Sequence, residues 1–174
     1  MDPVYDVTSS NISCKWPGLP AQKSVSAEVN AGDTITAWWQ YLDNTTQHDF
    51  VPWAHGHGPV LAYMAACNGD CKDLDVTKKV WFKVAQVGLE PEAKDMQDNW
   101  WQLRLIQGEG FQFQVPSGLK PGNYLVRHEI IMLASKPAQF YPNCGMVTVG
   151  GQGTEEPADD YLVSFPGAYS PEGE

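Results

Sequence analysis

The residues with the clearest chemical capacity are four histidines, His48, His55, His57 and His128, and a polar pair, Gln139 and Tyr141. His55-Gly56-His57 runs into Gly58-Pro59 and an apolar stretch, so both imidazoles are expected at one rim of a sheet. Two histidines one residue apart share a metal where the backbone is extended or suitably turned, and otherwise they are loop residues. His128, inside Arg127-His128-Glu129 on an expected strand, reads as a hydrogen-bonded structural histidine. Gln139 and Tyr141 stand two apart and so share one face of a strand that Cys144 would anchor. No serine elbow, phosphate loop or dinucleotide fingerprint occurs. The carboxylates are too scattered to pick out a glycosidase pair.

The elements that must position these residues read as strands. Residues 23–29 alternate with period two, and Ala31-Gly32-Asp33 then turns the chain into a strand over 34–41. Further strands are expected over 60–65, 80–84, 111–115, 124–133 and 145–149. Short helical turns fit only 72–79 and 100–106. Short strands separated by Gly/Pro turns predict an all-β antiparallel sandwich with long loops. Residues 150–160 are polar, Gly-rich and acidic and read as a surface excursion, whereas 165–169 is apolar enough to dock on the sheets. One domain spanning 1–174 is expected, since 174 residues bury a substantial core.

Four cysteines, Cys14, Cys67, Cys71 and Cys144, allow two disulfides in three pairings. Cys67-Asn68-Gly69-Asp70-Cys71 has the turn chemistry for a very small loop, and Cys14 with Cys144 would then join the two ends of the chain. A four-cysteine zinc site competes poorly, because only one close pair exists. The sequons at Asn11 and Asn44 agree with a secreted, extracellular, glycosylated protein. A net charge of -10 argues against nucleic-acid partners and anionic lipid. Apolar runs such as Val60 to Met64 fall far short of the roughly 20 residues a membrane span needs.

Several segments, in order, resemble fungal lytic polysaccharide monooxygenases of auxiliary-activity family nine. They are Pro3–Ser9 with Cys14, Ala31-Gly32-Asp33-Thr34, Gly58–Met64 and Trp81-Phe82-Lys83, followed by Pro116–Tyr124, Leu125–Ile130, Ala138–Tyr141 and Phe165–Tyr169. The resemblance implies an immunoglobulin-like or fibronectin-type sandwich and a secreted monomer with one copper ion on a flat face. It implies cellulose or another β-glucan as polymer partner, an external electron donor, and oxidative cleavage at C1 or C4 of the sugar. In that family a brace of an N-terminal histidine and a second histidine holds copper, with a tyrosine in the axial position. Tyr141 matches that tyrosine, Gln139 matches a glutamine that hydrogen-bonds the oxygen being activated, and Tyr169 matches an aromatic placed on the polysaccharide face.

Three departures qualify the match. The chain begins Met1-Asp2-Pro3, without the family's N-terminal strand and histidine, so impaired oxidation is the expectation. The second histidine's usual place is Gly56; His57, nearer the strand, is the preferred ligand and His55 the alternative. Ala134 stands where the family has another histidine. The competing function is a non-catalytic polysaccharide-binding or structural protein on the same fold.

Overall fold

Residues 122–132 alternate between two apolar environments, and that alternation organises the molecule. In this computed structural model, which describes residues 2–15, 25–42, 50–93 and 99–172, they form β8 (Gly122–Met132), a central strand of a five-stranded sheet. Its order is β1 (Ala27–Asn30), β9 (Gln139–Gly150), β8, β5 (Val60–Ala66) and β6 (Phe82–Val87). Two antiparallel pairs complete the architecture, β2 (Thr34–Ala37) with β7 (Phe111–Gln114), and β3 (Gln40–Leu42) with β4 (Phe50–Pro52). The α-helices among the described residues are single turns, α1 (Asn11–Cys14) and α2 (Leu103–Ile106). Among the described residues no helix is long and apolar enough to cross a membrane.

The all-β expectation holds, but the strand expected over 34–41 breaks into β2 and β3, which pair in different sheets, and β4 is a strand that was not expected. Two further corrections concern the large sheet. β1 and β9 pair in parallel, Ala27 opposite Val147 through Asn30 opposite Gly150, so the large sheet is mixed rather than purely antiparallel. A parallel pair needs a long connection, and these strands lie at opposite ends of the chain, so no local pattern announces the pairing. β9 also begins at Gln139 and runs through Pro142, six residues before the expected start. A proline interrupts a ladder through its missing N–H. Here β1 joins β9 only from Val147 onward, so the side of β9 away from β8 is not paired by β1 at Pro142.

Both faces of the large sheet are covered. Val60, Ala62, Met64, Val126 and Ile130 pack toward Phe111 and Phe113 in one core. Leu61, Tyr63, Ala65, Leu125 and Ile131 pack on the other side beneath Ile12, Trp81 and Phe165. That is why 60–65 reads as a continuous apolar run rather than an alternating one. The second core is closed by the two chain ends, and both disulfides lie in it: Cys67 with Cys71, and Cys14 with Cys144 across a separation of 130 residues. Cross-linking a loop of that length removes about 5 kcal/mol of chain entropy from the unfolded state. The zinc alternative is thereby excluded, since all four sulfurs are bonded to one another.

One charged pair sits inside that second core. Arg127 and Glu129 are fully buried, joined by Nη1 to Oε2 at 2.9 Å and Nη2 to Oε1 at 2.7 Å. Arg127 Nε and Nη2 also donate to the carbonyls of Ser13 and Ile12, each at 2.7 Å. The Tyr169 hydroxyl donates to Glu129 Oε2, and the guanidinium lies 3.7 Å from the Phe165 ring centroid. Burial opposes the arginine's charge, but the Glu129 carboxylate, with smaller contributions from Tyr169 and Tyr63, more than offsets it and holds the guanidinium protonated. On the opposite face, His128 packs edge-on to Trp39, with ring centroids 5.0 Å apart. Burial, reinforced by the Arg127 charge, pushes its pKa down to about 4.

Arg127→Met leaves Glu129 buried without its partner, and an expected loss of about 3–5 kcal/mol follows from the uncompensated charge. The double variant Arg127→Met/Glu129→Met should lose less than the single one, as chemical denaturation would show. His128 is neutral when folded and ordinary when unfolded, so it contributes no pH dependence above about pH 6.5. Between there and about pH 4 the unfolded chain binds a proton that the folded one refuses, and stability falls by about 3 kcal/mol. Thermal unfolding across that window should show the fall, and His128→Gln should flatten it.

Candidate metal centre

β8 fixes one wall of the site through its register with β9, Ile130 opposite Tyr141 and Met132 opposite Gln139. The other wall is the segment after β4. Trp53 is buried and meets Tyr141 edge-on at 4.7 Å between centroids and His55 at 5.2 Å, so one indole supports both rings. His55 Nε2 lies 3.1 Å from the Tyr141 hydroxyl, which donates to Gln139 Oε1 at 2.5 Å. Gln139 Nε2 in turn donates to the Tyr5 hydroxyl at 3.5 Å. The single phenol proton is committed to Gln139, so the His55 contact is made by Nε2–H donating to the phenol oxygen.

Burial lowers the His55 pKa and keeps the imidazole neutral, the form in which a ring nitrogen can bind a metal. Burial likewise raises the Tyr141 pKa, with smaller contributions from Tyr5 and Asp2, so the phenol keeps its proton. A neutral imidazole nitrogen is a donor that suits copper, and the neutral phenol beside it adds a hard, weak oxygen donor. Among the described residues no three of His, Cys, Asp and Glu converge on a common point.

Among the described contacts it is His55, not His57, that faces Tyr141. The reason lies in two buried glycines. A Cβ on Gly58 (φ +143°) would stand 2.0 Å from the Ile131 carbonyl oxygen, and one on Gly56 would stand 2.5 Å from Leu103 Cδ2 of α2. The chain is thus pressed between α2 and the end of β8. His57 and Pro59 carbonyls accept from the amides of Leu133 and Ile131, at 2.8 and 3.1 Å. The Ile131 carbonyl also accepts from the fully buried Gln102 Nε2 at 3.1 Å. With its backbone held this way, His57 carries a half-buried side chain, and none of the described contacts to Tyr141 is its own.

Tyr169 lies away from this pair. Its ring packs on Phe140 and Phe165 and its hydroxyl serves Glu129, so it belongs to the second core, on the opposite face of β9 from Tyr141. Asn11 is exposed at the start of α1. Asn44 and His48 lie outside the described residues. Two site residues escaped the sequence reading. Trp53 stands two before His55, a spacing that on an extended chain could have signalled it. Tyr5 reaches Gln139 only because Val4 bridges Phe140, a pairing across the whole chain that no local pattern encodes.

The sequence profile of Auxiliary Activity family 9 (formerly GH61) matches residues 1–174. The chain belongs to auxiliary activity family 9. A relative from Heterobasidion irregulare, an AA9 family lytic polysaccharide monooxygenase B, is 38% identical over 175 residues, covering 97% of this chain and 66% of its own length. A monooxygenase-like protein CEL1 from Agaricus bisporus is 34% identical, covering 97% of this chain and 50% of its own. The family 9 chain therefore spans about half to two thirds of these curated relatives. A cellulose-active polysaccharide monooxygenase from M. thermophila superposes with a TM-score of 0.80 at 33% identity, covering 95% of this chain and 70% of that one. The structure of HiLPMO9B gives the same TM-score at 34% identity, covering 97% and 71%. The immunoglobulin-like sandwich of this family 9 chain is thus shared with solved members.

Gly58→Ala should cost about 1–3 kcal/mol, through its positive φ and the Ile131 carbonyl, and shift the His55 imidazole resonances. Gly145→Ala, whose Cβ meets nothing within 4 Å, should change neither in parallel denaturation and NMR measurements.

Proposed function

We propose that this family 9 chain takes part in copper-dependent oxidative cleavage of a polysaccharide, cellulose or a related β-glucan, with His55 and Tyr141 as two of the copper donors. The observation that carries this reading is the 3.1 Å approach of His55 Nε2 to the Tyr141 hydroxyl over a shared Trp53 floor. Copper bound there would supply one-electron redox chemistry toward oxygen, fed by an external electron donor.

The chain's own residues have defined tasks. His55 offers a neutral ring whose Nε2 must release its hydrogen bond to the phenol before it can bind a metal. Tyr141, kept protonated, is a weak neutral donor rather than a phenolate. Gln139 accepts the phenol hydrogen bond on Oε1 and so holds Tyr141 in one rotamer, while Tyr5 steadies the amide from its other end. Secretion as a single-domain monomer, with a glycan at the exposed Asn11, completes the proposal. Two disulfides support it, because such bonds persist in oxidising compartments.

Copper titration followed by EPR tests the reading on protein purified as its host secretes it. His55→Ala should weaken Cu(II) binding at least 100-fold and abolish oxidised oligosaccharides from cellulose with a reductant. His57→Ala should leave affinity within about threefold. The reverse pattern would move the ligand to His57. Retention on cellulose in EDTA with no oxidised product from the unsubstituted protein would instead establish polysaccharide binding without oxidation.

A further inference from the structure

The loop closed by the Cys67–Cys71 disulfide carries Asn68-Gly69, and no other asparagine of the chain is followed by glycine. Asn68, Gly69 and Asp70 are all exposed. Asn68 sits at φ +51° and Gly69 at φ +152°, and a Cβ on Gly69 would meet nothing within 4 Å, so the surroundings of this dipeptide are open. The loop is held through its other groups. Cys67 N–H donates to the Asn123 carbonyl at 2.9 Å, the Asn123 carboxamide donates to the Gly69 carbonyl at 3.0 Å, and the Asp70 carboxylate accepts from Lys72 N–H at 3.0 Å. Among the described residues no hydrogen bond uses the Gly69 N–H or the Asn68 carboxamide. At the other asparagines one of these groups is spent or crowded. Ile12 N–H after Asn11 donates to the Ser9 carbonyl, and Ala31 N–H after Asn30 to the Gly150 carbonyl. Asn123 is held at both ends of its carboxamide, by Gly69 and Thr148, Cys144 N–H donates to Asn143 Oδ1, and Asn99 precedes the bulky Trp100.

We infer that Asn68 is a site of spontaneous deamidation in the folded protein. Asparagine is among the thermolabile side chains, and a following glycine leaves the attacking nitrogen unshielded and its backbone free to turn. The Gly69 nitrogen attacks Asn68 Cγ and closes a five-membered imide. Its proton passes to the side-chain nitrogen, which departs as ammonia. Water then opens the ring at one of its two carbonyls. Opening at Cγ breaks the new bond and leaves aspartate, whereas opening at the former main-chain carbonyl leaves isoaspartate, with the main chain running through Cγ. No atom is oxidised or reduced. Either product adds a negative charge to a segment that already carries Asp70 and Asp73, and isoaspartate also adds a carbon to the main chain inside a loop of fixed ends. The loop stands away from the proposed metal centre. Val60 is opposite Ile130, which is itself opposite Tyr141, while Ala66 at the other end of β5 leads into Cys67. The seven residues of that strand set the two about 20 Å apart, so the modification does not depend on copper.

Incubation of the folded, disulfide-intact chain in oxygen-18 water at pH 8.5, followed by peptide mapping by mass spectrometry, tests this. The peptide containing Asn68 should take up one oxygen-18 atom at least tenfold faster than any other asparagine peptide, with isoaspartate in excess of aspartate. Asn68→Gln, whose longer side chain cannot close a five-membered ring, should abolish the uptake there. The reduced, unfolded chain is the second reference and stands if that variant fails to fold: its Asn68 should convert no more than about tenfold faster than in the folded protein. Asn68 left intact in the folded chain while the unfolded one converts would overturn the inference. So would equal uptake at another asparagine, or aspartate formed without isoaspartate.

Discussion

The Arg127–Glu129 pair is the interaction on which the rest of the arrangement depends. Two opposite charges with no solvent access are tolerable only if every remaining hydrogen-bonding group is satisfied. The partners that satisfy them come from both ends of the chain: the Ile12 and Ser13 carbonyls from α1, and the Tyr169 hydroxyl from the C-terminal segment. Residues 12–14 and 165–169 are thus held on the outer face of the large sheet by one buried charge, with the Cys14–Cys144 bond beside it. Tyr169 is occupied in that duty, which accounts for its absence from the opposite face.

What is fixed on the outer face sets the geometry of the inner one. β8 alternates, so when Arg127, Glu129 and Ile131 are committed outward, His128 and Ile130 must point inward. The β8–β9 register then puts Tyr141 beside Ile130 on the inner side and Phe140 on the outer. At the strand's end the Ile131 carbonyl collects Gln102 and crowds Gly58, which steers the preceding residues and brings His55 over Trp53. The His55–Tyr141 pair of the proposed centre is thereby assembled from strand positions and one clamped loop.

Most strands, the turns and the Cys67–Cys71 disulfide were legible because each has a local cause: period-two alternation, an Asn-Gly-Asp loop, an apolar run buried on both faces. The Cys14–Cys144 bond followed only as the pairing left over. Gln139 and Tyr141 were legible for the same reason, since residues two apart on a strand share a face. The choice between His55 and His57 was not. It turns on which of two glycines meets α2 and which meets the Ile131 carbonyl, contacts with residues 47 to 73 positions away. The parallel β1–β9 pair and Tyr5 at the site share that character, each decided by segments distant in sequence.

The sequence by itself determined a β-rich chain with its strand faces, its disulfide-forming cysteines, its acidic charge and its kinship to family 9, because these follow from composition, periodicity and motif order. Only the tertiary structure decided which histidine meets the tyrosine and which aromatic is spent on a buried carboxylate. The physical reason is that side-chain direction on a strand is a local property, whereas what stands opposite that side chain depends on packing between segments that the chain brings together only when it folds.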